Sequence, residues 1–190
     1  MGAETYSLKK DGETKLSANF RVREFRCQDG SDAILVSDEL VTVLQAIRDH
    51  FGKAVNINSA YRTKSHNTAV GGSPKSQHLL GTAADVWISG VTPLEIAQYA
   101  EYRLGDKGGI GVYGSFVHVD VRASRSRWDS RSGSEASVDG WPGYEEPESR
   151  PWYAQAQDYV KEQGISDGTR PLDNITRAEV WEMFRKHDKA

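Results

Sequence analysis

Apolar residues recur at helical spacing over residues 37–52, SDELVTVLQAIRDHFG, where Leu40, Val43, Leu44, Ile47 and Phe51 share one face. Ser37 stands at the N-cap, Asp38 and Glu39 suit the positive end of the helix dipole, and Gly52 stops the helix. A second helix is predicted over TPLEIAQYAEYRLG. There Thr92 and Glu95 form a capping box, Pro93 takes the first helical position and Gly105 lies past the end. Between these helices the period changes to two. AVNINSAYR and AADVWI read as strands, and GGIGVY and SFVHVDVR read as two strands joined by a tight turn at Gly114–Ser115. HNTAVGG reads as a short helix leading into a turn. The predicted fold class is α+β, with a small, mainly antiparallel sheet flanked by helices.

The pattern then lapses. Residues 126–149, SRWDSRSGSEASVDGWPGYEEPES, are rich in Ser, Gly, Pro and Glu without an apolar period, and read as a flexible linker. Residues 150–190 recover a helical period in two short helices, the second opening at Thr176 with Glu179 closing a capping box and Ile175 facing Val180. The expected organisation is a main domain over 1–125, a linker over 126–149 and a small helical segment over 150–190.

Composition narrows the choice of function. The chain has 190 residues, 37% hydrophobic and 27% charged, with a net charge of −3. That suits one good core with a small appendage. No basic footprint points to nucleic acid, and no apolar run approaches the roughly 20 residues that span a bilayer. The N-terminus MGAETYSLKKDGETK is polar and shows no hydrophobic signal region, so no secretory signal is expected. The single cysteine, Cys27, rules out an internal disulfide framework and a Cys-rich zinc site.

The candidate chemistry lies in the strands. In SFVHVDVR, Val117, Val119 and Val121 point into a core, which turns Phe116, His118, Asp120 and Arg122 to the other side. A histidine, a carboxylate and an arginine on one strand face are costly to bury and are expected to face a cleft or solvent. In AADVWI, Asp85 sits among apolar residues and needs a partner. With His78 and His118 it supplies two nitrogens and one oxygen, a set that zinc accepts at three protein positions, with a fourth left for water. Such an ion supports hydrolysis. Asp120 is the candidate to carry the proton, and Arg62 the candidate to hold a substrate carboxylate or an oxyanion. A lone strand histidine is more often structural, HExxH is absent, and only the conjunction of these residues carries weight.

That conjunction resembles the M15 family of zinc peptidases. NSAYRT, HNTAVGGSPKSQHLLGTAADV and GGIGVYGSFVHVDVR, followed by RW, match its pattern over about residues 15 to 128, and Ser76, His78, Gly81, Ala83 and Asp85 fit S-x-H-x-x-G-x-A-x-D without a gap. The likeness is nearest to the branch with D-Ala-D-Ala carboxypeptidase-like proteins and bacteriophage endolysins. It implies one zinc ion on His78, Asp85 and His118, bacterial peptidoglycan as substrate, and Ser76 and Arg62 as substrate-holding residues. Many relatives carry an acid three positions before the last histidine ligand, or a second histidine two before it. Here those positions are Ser115 and Phe116. Asp120 is therefore assigned as general base, with the swapped assignment, Asp120 as ligand and His118 as base, left open by strand geometry.

The tail GISDGTRPLDNITRAEVWEMFRK resembles the short S-layer-homology-like segments of cell-wall hydrolases, which implies wall attachment; a merely stabilising helical cap is the alternative. The function expected is a monomeric phage or prophage endolysin, made in the host cytoplasm and acting at the wall after release. It would cut an L-alanyl-D-glutamate bond, or act as a D,D-carboxypeptidase or endopeptidase. The rival is a non-catalytic wall-binding protein that keeps the zinc fold.

Overall fold

The apolar stripes predicted above assemble around one sheet. In the computed structural model, which describes residues 2–144, a ribbon is formed by β1 (Glu4–Ser7) and β2 (Ala33–Val36). The main sheet holds β3 (Val55–Ser59), β4 (Ala83–Ile88), β5 (Gly109–Val112), β6 (Val117–Asp120), β7 (Ser126–Asp129) and β8 (Ala136–Ser137). Its order is β3-β4-β6-β5-β7-β8. Helices α1 (Leu8–Asp11), α2 (Asp38–Phe51), α3 (Lys64–Ala69) and α4 (Pro93–Leu104) complete the set, with 3-10 turns at Val22–Phe25 and Gln77–Leu80.

Both long helices form where the pattern places them. Leu40, Val43, Leu44 and Ile47 of α2 are buried, and Gly52 ends the helix at φ 60°, a left-handed conformation that favours glycine. Ser37 occupies the N-cap, but its side chain makes no capping bond; its backbone N–H donates to Gly81 O at 2.9 Å. The Thr92–Glu95 capping box of α4 is complete, with Pro93 at the start of the helix.

Alternation gives the sheet two unlike faces. Ala84, Val86, Ile88, Ile110, Val112, Val117 and Val119 turn into the core shared with Leu44, Ile47, Ile96 and Ala100. The opposite face of the same strands carries Ala83, Asp85, Gly109, Gly111, His118 and Asp120. The register sets these in two rows across the sheet: Ser59, Asp85, His118, Gly111 and Trp128 in one, Ala83, Asp120, Gly109 and Ser126 in the next. Small residues stand where large groups need room, because a Cβ on Gly111 would meet the Trp128 ring and one on Gly109 would meet the Asp120 carboxylate.

The main sheet is mainly antiparallel, as expected, but mixed, because β7 runs parallel to β5. One expectation is corrected. Residues 126–144, read from composition as linker, belong to the domain: they supply β7, β8 and the buried Trp141, and the first compact unit extends to Tyr144. The cause is visible at Arg127. Its side chain is fully buried beside α4, with Nε 2.5 Å from Glu101 Oε2 and its other nitrogens donating to backbone carbonyls of Gly105, Lys107, Gly108 and Ser126. A polar sequence is thereby held by a charge rather than by an apolar stripe. The helical segment predicted over 150–190 and the S-layer-like tail lie outside the described residues.

Candidate metal centre

His78 enters the site from the 3-10 turn Gln77–Leu80, which sits between α3 and β4. Ser76 caps that turn, its Oγ accepting the His78 backbone N–H at 3.3 Å. Gly81 closes it at φ 68°, and a Cβ there would strike the Leu35 carbonyl, so the glycine of the motif has two steric reasons to be glycine. The His78 ring is then tied from behind: Nδ1 lies 2.6 Å from the Ala60 carbonyl oxygen, so it carries the proton and Nε2 presents its lone pair forward.

His118 is oriented in the same way. Its Nε2 lies 3.0 Å from Oδ2 of Asp120, which leaves Nδ1 to face His78 Nε2 at 3.2 Å and Asp85 Oδ1 at 2.9 Å. The third edge, from His78 Nε2 to Asp85 Oδ1, is 3.3 Å. Asp85 is itself held by Arg62, whose Nη2 donates to Oδ2 at 2.6 Å while Nε donates to Ser59 Oγ at 2.8 Å. All three residues of the cluster are buried. Three acceptor atoms thus converge, with the rear nitrogen of each imidazole and the second carboxylate oxygen already committed elsewhere. Donors that each stand about 2.0–2.2 Å from a shared tetrahedral ion lie roughly 3.3 Å apart, and these three residues fit that geometry.

The same arrangement governs charge. Burial works against the Asp85 carboxylate, but the adjoining His118 and His78 rings outweigh it and hold the group well below the usual carboxylate range. For Asp120 the opposing pull of burial is overcome by His118 and Arg122. Burial alone would lower His118; Asp120 and Asp85 push it up to about 9. His78, Asp85 and His118 would hold a cation in the place of that proton.

A cleft of about 570 Å³ opens onto the cluster. Arg62, Ser76, His78, Asp85 and His118 line it, as the sequence suggested for the site. Asp120 does not: its side chain has no exposed surface, and its oxygens are occupied by His118, Arg122 and the Gly109 N–H. The geometry places Asp120 behind His118, away from the space where a substrate would sit. Ser76 lines the cleft while also capping the turn that carries His78, and Arg62 lines it while holding Asp85.

The cleft also contains residues to which sequence reasoning gave no part in the chemistry. Trp128 packs against His118 with ring centroids 5.1 Å apart, and its Nε1 donates to Tyr113 OH at 3.2 Å. Tyr113 stacks on Phe116 at 4.3 Å, and Lys75 and Glu135 also line the cleft. The tryptophan of the RW pair was the one available signal. Its pairing opposite Gly111 is a property of register, which periodicity does not report.

The comparison with known families bears on the same residues. The Peptidase M15 family matches residues 17–120, a span that contains all three cluster residues and more than half of the chain. No curated protein matches the chain. On the strength of the family match and of the His–Asp–His cluster it encloses, this chain belongs to the Peptidase M15 family.

Proposed function

We propose that the chain is a zinc-dependent peptidase that hydrolyses an amide bond in the stem peptide or cross-link of bacterial peptidoglycan, in the manner of a phage or prophage endolysin. The observation that carries the reading is the convergence of His78 Nε2, His118 Nδ1 and a carboxylate oxygen of Asp85, each oriented from behind, at the floor of an open cleft. When bound there, zinc supplies Lewis acidity, polarising a carbonyl and making water more acidic. The protein contributes position. Ala60 and Asp120 fix the two imidazoles, and Arg62 fixes Asp85. Lys75 and Arg62 line a cleft suited to a peptide that carries carboxylates, as wall stem peptides do.

In this reading Ser76 and Arg62 serve substrate binding through the cleft they line, and Asp120 serves as a positioning residue rather than as general base. The protein acts at the wall, reaching it from the cytoplasm of a lysing host; among the described residues no helix is long and apolar enough to cross a membrane. The bonds in contention are L-alanyl-D-glutamate and the D,D bonds of the cross-link or terminal D-alanine. The test is clearing of a turbid peptidoglycan suspension by the zinc-loaded full chain, with a chelator as control and mass spectrometry of the released fragments. New termini name the bond. A protein that pellets with the wall and leaves turbidity unchanged is a binder, and the peptidase reading fails.

A further inference from the structure

Hydrolysis of an amide needs a group that takes a proton from the attacking water and returns it to the leaving nitrogen. The positions before His118 offer none, being Ser115 and Phe116, and Asp120 is sealed behind the ring. Among the described residues that line the cleft, the carboxylates are Asp85 and Glu135. Asp85 is committed to the cluster and to Arg62.

Glu135 comes from the hairpin between β7 and β8. Trp128 pairs with Ser137, which puts Ser137 on the side of the sheet that carries His118, and Glu135, just before β8, lines the cleft on that side. The hairpin tip is set by Gly133, at φ 90°, whose N–H donates to Ser130 O at 3.2 Å, and Arg131 braces it by donating to Asp129 at 2.6–3.1 Å. Glu135 itself makes no hydrogen bond or ion pair among the described residues. Arg122, which neutralises Asp120, lies close enough to feel its charge.

We infer that Glu135, delivered by the β7–β8 hairpin, is the catalytic acid–base of this peptidase. The inference rests on the peptidase reading above. As the water oxygen bonds to the carbonyl carbon, one of its protons passes to the Glu135 carboxylate. As the C–N bond breaks, that proton passes to the amide nitrogen. The products are a carboxylic acid and an amine, Glu135 ends ionised as it began, and no redox partner is involved.

The test uses the zinc-loaded full chain with Glu135→Gln and Glu135→Asp. Three quantities are read: clearing of purified peptidoglycan sacculi, zinc bound per chain, and sedimentation with the sacculi. The inference expects Glu135→Gln to clear at least about 100-fold more slowly, with zinc content unchanged and the variant retained in the pellet while wild type is released by digestion. Glu135→Asp is expected to keep more activity than Glu135→Gln. Clearing by Glu135→Gln within a few-fold of wild type overturns the assignment, as does loss of zinc from that variant. Wild type that fails to clear at all overturns the peptidase reading and this assignment with it. Active wild type beside equally active Glu135→Gln overturns the assignment alone.

Discussion

Asp120 and His118 are two residues apart on one strand face, and the Asp120 carboxylate reaches back along it to lie 3.0 Å from His118 Nε2. The contact decides the tautomer. With the proton on Nε2, the Nδ1 lone pair is available toward His78 and Asp85. A carboxylate used in this way is spent as a base, and its complete burial beside Arg122 keeps it so.

Asp120→Asn is therefore expected to weaken zinc binding by roughly 10–100-fold, the effect typical of losing a partner behind a ligating histidine. The amide replaces an acceptor of fixed charge with a group that can present a donor to the ring. Competition against a chromogenic chelator measures the change. Unaltered zinc affinity with lost activity would instead return Asp120 to the role of general base.

Zinc itself is expected to raise the melting temperature of the wild-type chain. At free ion about 100-fold above Kd the gain is about 2.7 kcal/mol, or roughly 5–10 °C for a protein of this size. His78→Ala, Asp85→Ala and His118→Ala should each abolish the shift, because each removes one of the three donors that the described residues bring to the cluster. Calorimetry with and without a chelator checks this, and a ligand variant that keeps the full shift would place the ion elsewhere.

Much of this site is legible in the sequence, and the part that is not has identifiable causes. His118 could be chosen because its strand alternates, Val117 and Val119 being apolar on one side, whereas His78, in a 3-10 turn, and Asp85 could be chosen from the spacing of Ser76, His78, Gly81, Ala83 and Asp85. Alternation is silent on depth. It put His118 and Asp120 on one face, while the register set Asp120 opposite Gly109 and Ala83 and beneath Arg122, where no substrate reaches. Arg62 was recognised as part of the site but not as the residue that holds Asp85, since a contact across 23 positions has no local signature. Residues 126–144 resembled a linker because the inward residue of β7 is Arg127, and a buried arginine satisfied by carbonyls and by Glu101 leaves no apolar trace in the sequence.

Gly111→Ala tests the packing behind the cleft wall. A methyl group there enters the space of the Trp128 ring, which lies against His118. Overpacking of this kind costs about 1–3 kcal/mol, and the displaced ring should disturb the cleft as well as the fold. The expected outcome is a lower melting temperature together with slower clearing of peptidoglycan. A variant with wild-type stability would show that Trp128 can be accommodated elsewhere.

Glu101→Gln tests whether β7 is part of the domain. Glu101 of α4 meets Arg127 Nε at 2.5 Å and Arg125 Nη2 at 3.0 Å, so it ties the last strands to the helix layer. Burial tends to raise its carboxyl, but hydrogen bonds from Arg127 and then Arg125 prevail and hold it below its ordinary value. A carboxyl depressed in the folded state adds stability that is present above the unfolded value of 4.5 and is lost as pH falls through the folded one. At neutral pH the substitution, which removes a charged acceptor from a buried guanidinium, is expected to cost on the order of 2 kcal/mol. The gap between wild type and Glu101→Gln should then narrow as the solution is acidified below 4.5. Melting curves taken across that range decide the matter: a gap that stays constant would mean that Glu101 contributes through packing rather than charge. The absence of any gap at neutral pH would mean that the carbonyls of Gly105, Lys107, Gly108 and Ser126 hold Arg127 without it.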